Sequence, residues 1–174
     1  MRFHLHPLIT IETGLFHAII SPGEIILESI NNSNEFQRFL FLYISGNYSS
    51  LLTGINRNVG HFYVQRAFTA FQLLSILREA HHTIIFLEHD PSLFDGDGSS
   101  SLHEVARALK HAAKEAAVIL YSRADNKTFR YLSNSADRVF YFIPQLKYQD
   151  HKHESGHSKV EKQYFDKSQA KLII

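Results

Sequence analysis

The stretch Thr83-Ile84-Ile85-Phe86-Leu87-Glu88-His89-Asp90 runs through apolar and β-branched residues and stops abruptly at two acids flanking a histidine. A run so short and so rich in branched side chains predicts a strand buried on both faces, the kind that parallel sheets are made of. Parallel strands in turn need crossover connections, usually helices. Acids at the end of such a strand fall on the carboxyl edge of the sheet, where open α/β folds bind their ligands.

Ala117-Val118-Ile119-Leu120-Tyr121 and Arg138-Val139-Phe140-Tyr141-Phe142 predict two more buried strands. Residues 62–80 predict a helix, because Val64, Ala67, Phe68, Phe71, Leu74 and Leu77 recur at three-and-four spacing. Ser101-Leu102-His103-Glu104 has the form of a capping box and is expected to open a second helix after a loop over 91–100. A short helix is expected at 127–132. Upstream, Ser21-Pro22-Gly23 is a turn signal, with a strand expected at 24–27, a polar loop at 28–34 and an aromatic-rich helix at 35–44. Residues 48–55 are ambiguous, with Leu51-Leu52-Thr53 a possible short strand. Helices alternating with apolar strands predict an α/β fold, a three-layer sandwich around a mostly parallel sheet.

At 174 residues the chain is long enough for one domain with its own core. Residues 1–146 are expected to form it, and 147–174 to be a polar linker or mobile loop with a C-terminal segment. A net charge of +1 provides no strong field toward nucleic acid or membrane. Without cysteine there are no disulfides and no thiolate metal sites. The first six residues contain no leader-like apolar stretch, and Phe39-Leu40-Phe41-Leu42-Tyr43-Ile44 falls far short of the ~20 residues a membrane helix requires. The expectation is a cytoplasmic protein with no membrane partner.

The order of these segments resembles that of the RecA-like ATPases, especially archaeal RadA and KaiC-type proteins. Pro22-Gly23-Glu24-Ile25-Ile26-Leu27 is similar to the opening strand that normally leads into the phosphate loop. Residues 64–74 resemble the helix before the second acidic motif. Ile84-Ile85-Phe86-Leu87-Glu88 resembles the Walker B strand, whose acid is associated with magnesium, with Glu88 in place of the usual aspartate. Val118-Ile119-Leu120-Tyr121-Ser122 is similar to the next core strand, and Ala136-Asp137-Arg138-Val139 to the start of a late one. On that alignment the phosphate loop falls at residues 28–35, with Ser29, Asn31, Asn32, Ser33 and Asn34 at its degenerate position. Those residues include no glycine and no lysine, and Glu28 and Glu35 would repel a phosphate. No Gly-x-x-x-x-Gly-Lys-Ser/Thr occurs anywhere in the chain. The resemblance therefore implies a fold without its ATPase loop, and no cofactor is expected.

Glu88 and Asp90 are candidate ligands for a divalent cation, since carboxylates suit magnesium. Arg123, Lys127 and Arg130, with Asn126, follow a core strand and form a candidate anion or nucleic-acid contact. His4-x-His6 and His151-x-His153-x3-His157 are spaced for imidazole chelation, although histidines in a mobile polar segment are the favoured reading. His81 and His82 precede the central strand and His89 follows it, ~23 Å away if extended, too far to share a metal. Phe36, Phe39, Phe41 and Tyr43 are candidates for a protein interface.

The resulting expectation is a non-catalytic, regulatory or accessory RecA-like paralogue that associates with itself or with a protein partner. The resemblance implies a DNA recombination, DNA repair or signalling context. The alternative is a metal-dependent hydrolase or nucleotide-processing enzyme using Glu88 and Asp90, and a nucleic-acid-binding module is a third reading.

Overall fold

β6 (Ile84–Glu88) is buried along its whole length, as the apolar run demands. The computed structural model describes residues 1–7, 9–33, 36, 38–56, 61–95, 98–142 and 164–166. On one side β6 pairs in parallel with β7 (Ala117–Ser122), which continues to β3 (Phe16–Ile20) and β8 (Arg138–Phe142). On the other side it pairs in parallel with β4 (Phe41–Ser45) and, beyond it, β5 (Phe62–Arg66). A short antiparallel strand, β9 (Tyr164–Asp166), lies against β8, giving the order β5-β4-β6-β7-β3-β8-β9. β9 places part of the 147–174 segment on the sheet.

The alternation of side chains divides the interior into two cores. Ala18, Leu42, Leu87, Leu120 and Val139 face α2 (Ala70–Glu79), α3 (Gly98–Ala112) and α4 (Lys127–Ser133). Ile19, Tyr43, Phe86, Tyr121 and Phe140 face α1 (Gly23–Asn32) and a hairpin of β1 (Arg2–His6) and β2 (Ile9–Glu12). The molecule is thus a three-layer α/β sandwich with a mostly parallel sheet. On the second face Phe41, Tyr43 and Tyr121 each stack against Phe86, with centroids 5.3 to 6.1 Å apart. Among the described residues, no helix is long and apolar enough to cross a membrane.

Several local expectations are corrected. Residues 24–27 are the first turns of α1, not a strand. Pro22 fixes the backbone just before the helix, and Ile26 and Ile30 turn inward one helical turn apart while Glu24 and Glu28 face solvent. The polar residues 28–32 extend that helix because local partners hold them. Ser29 donates to the Ile25 carbonyl, and the Asn31 side chain donates to Gly54 O and accepts from Asn56 N–H. The expected helix over 35–44 is instead strand β4 from Phe41 onward, a run with no polar spacer that is buried on both faces. The expected helix at 62–80 is two elements. β5 ends at Arg66, and α2 starts after Thr69, whose hydroxyl accepts from Gln72 N–H. Residues 91–94 form a 3-10 turn, and α3 begins at Gly98, so Ser101 lies inside that helix instead of capping it. Leu51 and Leu52 lie in a turn and point inward. The first strands, β1 to β3, were not anticipated.

His17, on the central strand β3, is fully buried and joins the hairpin to the sheet. Its Nδ1–H donates to Val118 O at 3.3 Å, and its Nε2 accepts from Glu12 N–H at 3.4 Å, so the ring must be neutral. Burial lowers its pKa from 6.5 to about 4. The unfolded chain binds this proton near its ordinary pKa and the folded chain does not. His17 therefore contributes its full stability above about pH 6.5 and loses it as the pH falls through 6.5 toward 4. We expect urea-unfolding stability to drop over that window. His17→Gln, which cannot take up the proton, should remove about half of the slope, the buried His89 imidazole carrying the rest, and an unchanged slope would place the titration elsewhere.

Candidate functional site

The acids after β6 sit on the carboxyl edge of the sheet, as the strand pattern predicts, but they serve the protein's own backbone. Glu88 is 6% exposed. Its Oε2 accepts from the Tyr43 hydroxyl and from Ser49 Oγ, each at 2.5 Å, and its Oε1 accepts from Ser50 N–H at 2.9 Å and Ser50 Oγ at 2.7 Å. Ser49 Oγ in turn accepts from Leu52 N–H. The Glu88 carboxylate thus fastens the chain after β4 to the end of β6. Burial, together with the Glu88 charge, raises the Tyr43 pKa well above its ordinary value and keeps the phenol a donor.

Asp90 holds the same loop from its other end. Its Oδ2 accepts from Asn47 N–H at 3.0 Å, and its Oδ1 caps the 3-10 turn through Ser92 N–H and Ser92 Oγ. Gly46 makes this approach possible, since a Cβ there would overlap the Asp90 carboxylate. Glu88 and Asp90 are on one edge, but each already accepts hydrogen bonds on both oxygens. Among the described residues no group of three or more potential ligands is placed to hold a metal.

His89, between them, points to α4. Thr128 Oγ1 donates to Asn126 Oδ1, so His89 Nε2–H donates to Thr128 Oγ1 at 3.0 Å. Burial holds the imidazole pKa at about 4, and its ring lies against Phe94 and Phe129. Asn126 Oδ1 accepts from Phe129 N–H and so caps α4. Arg130 is paired with Asp125 at 2.8 Å, and Lys127 is exposed on the first turn of α4. Arg123 lies across the start of α1, where a Cβ on Gly23 would come within 2.5 Å of its guanidinium. A groove of about 530 Å³ between α2 and α3, with Arg78, Arg107 and Lys114 on its walls, shares no residue with this edge.

The residues expected at a degenerate phosphate loop do not follow a strand. The strand before α1 is β3, and the connection from β3 to α1 is Ser21-Pro22 alone. Ser29, Asn31 and Asn32 lie in the last turns of α1 and Ser33 follows them, so none is at a strand–helix join. Asn34 lies outside the described residues. The short join is closed from beneath, since Ser21 N–H donates to Ser122 O and the Tyr121 hydroxyl donates to Ser21 O. Burial pushes the Tyr121 pKa up to about 12, against the opposing effect of Arg123.

Asp137 and Arg138, of the late-strand motif, lie at the opposite edge. Asp137 accepts from Phe16 N–H and pairs with Lys110, and Arg138 pairs with Glu12 at 2.7 Å. His4, with its ring near Thr10, lies on the hairpin. His151, His153 and His157 are outside the described residues. Sequence reasoning missed Tyr43, Ser49 and Ser50, the partners of Glu88. Their one local signal was hydroxyl-bearing residues after an apolar run.

An uncharacterized protein of the archaeon Archaeoglobus fulgidus is 32% identical to this chain over 169 aligned positions, covering 83% of this chain and 86% of that protein. The chain belongs to that protein's family. No protein-family model matches it.

Removing the Glu88 carboxylate would strand three hydroxyls and an amide in or near the interior. We expect Glu88→Ala to cost about 3 kcal/mol or more in urea unfolding, because buried donors left unpaired bear their full desolvation cost. Glu88→Gln should cost less, and a double-mutant cycle with Tyr43→Phe should show coupling. A fully stable Glu88→Ala would show that the carboxylate is not a structural clamp.

Proposed function

We propose that this protein is a non-catalytic α/β domain of RecA-like descent that works as a regulatory or accessory component by associating with protein. The observation that carries this reading is the join between β3 and α1. A triphosphate needs a glycine-permitted loop of outward amides, a lysine and a magnesium-binding hydroxyl. Here the join is Ser21-Pro22, and the Arg123 side chain covers the glycine that follows. The acid in the Walker B position is saturated by Tyr43, Ser49 and Ser50.

A second observation supports association. Tyr63 and Val64 on β5, and Phe68 and Phe71 beside it, are 40 to 71% exposed. Tyr63 and Val64 lie on opposite faces of β5, at the rim of the sheet, and exposed apolar residues gathered at such a rim mark interaction sites more often than isolated ones do. A DNA recombination, repair or signalling setting follows from the resemblance alone. The hydrolase alternative would require both acids to give up the donors that hold the β4 loop, and no observation favours it.

Calorimetric titration with magnesium-ATP is expected to give no binding tighter than ~1 mM and no turnover. Micromolar binding would overturn the non-catalytic reading.

A further inference from the structure

β5 is an edge strand whose whole length beyond Phe62 is exposed, and among the described residues no strand pairs with its outer side. Monomeric proteins usually blunt such edges with lysines, prolines or bulges. Phe62-Tyr63-Val64-Gln65-Arg66 has none of these, and Arg66 at its end is its one charge. We propose that β5 pairs antiparallel with β5 of a second copy about a two-fold axis at Val64, joining two sheets into one. This deepens the association reading above and rests on it.

The backbone determines the register. Phe41 N–H donates to His61 O, and Ala67 N–H donates to Ser45 O, both at 2.9 Å. The peptide groups of residues 61, 63, 65 and 67 therefore face β4. Successive residues of a strand direct these groups to opposite sides, so those of Phe62, Val64 and Arg66 face outward. An antiparallel pairing centred on Val64 sets Val64 opposite its own copy and Phe62 opposite Arg66 on both sides of the axis. All three outward residues then sit in hydrogen-bonded pairs, each exchanging both of its bonds. Centring on Tyr63 or Gln65 instead would leave one of the three unpaired.

The side chains agree with that register. Phe62 stacks on Phe41, and Val64 is in register with Tyr43, so Phe62, Val64 and Arg66 share one face. Tyr63, in contact with His82, lies on the other face with Gln65. Across the axis Val64 meets Val64, Arg66 meets the Phe62 ring and Tyr63 meets Gln65. No like charges oppose one another, and each guanidinium has an aromatic neighbour. A strand complementary to itself in this way favours a second copy over a foreign peptide, and two-fold pairing closes the assembly at a dimer.

Sedimentation of the full chain is expected to show a dimer. Val64→Lys and Val64→Glu each place like charges opposite one another and should each weaken it roughly tenfold or more. Mixing the two variants should restore a dimer, since the axis then pairs lysine with glutamate. Because the chain has no cysteine, Val64→Cys adds a single thiol, and a short bis-maleimide, each of whose rings adds one thiol, should join two chains through it. That measurement also covers the case in which a charged variant fails to fold. A monomer at ~100 µM, or a dimer that neither charge variant weakens and Val64→Cys does not cross-link, would overturn the proposal. A monomer that also fails to bind ATP would leave the association reading standing with a different partner, whereas micromolar ATP binding would remove that reading itself.

Discussion

A strand in the middle of a parallel sheet has no solvent face, so both of its sides must be covered by the same chain. β3, β6 and β7 impose that condition, and the rest of the architecture meets it. α2, α3 and α4 seal one face, while α1 and the β1–β2 hairpin seal the other. His17 shows how closely the layers are joined, since one neutral ring hydrogen-bonds both the hairpin and β7. The condition lapses only at the edges. At one of them β9 pairs with β8, while β5 at the other stays exposed among the described residues.

The carboxyl edge shows how the same residue types can serve opposite ends. An acid after a buried strand is well placed for a metal because it is fixed and close to where a ligand would enter. A buried carboxylate also accepts several hydrogen bonds, and wherever the surrounding chain supplies donors it becomes a fastening. Tyr43, Ser49 and Ser50 supply them to Glu88, and Asn47 and Ser92 supply them to Asp90. Both acids therefore hold the loop after β4, which fixes the end of that strand beside β6.

The strands at 84–88, 117–122 and 138–142 and the helix at 127–133 were legible because each is a short apolar run or a capped segment bounded by polar residues. The α1 segment misled because Ile25-Ile26-Leu27 reads as a strand over three residues, and only the longer spacing to Ile30 reveals a helix. The run at 41–45 misled in the other direction, since an apolar stretch without polar spacers has no period to read. At 62–66 an exposed edge strand reads as part of the following helix, because Val64 and Phe68 happen to be one helical turn apart.

The residues alone settle that this chain builds a parallel α/β sheet with acids at its carboxyl edge, because buried strands and turn-forming residues leave a local record. They also settle that no glycine-lysine phosphate loop is present. What the acids do was decided by tertiary structure, since the donors to Glu88 come from residues 38 to 45 positions away. The free edge was likewise decided there. Whether a strand lies in the centre or at the rim depends on which strands reach it, and hydrogen-bond partners across a sheet leave no trace in the spacing of side chains along one strand.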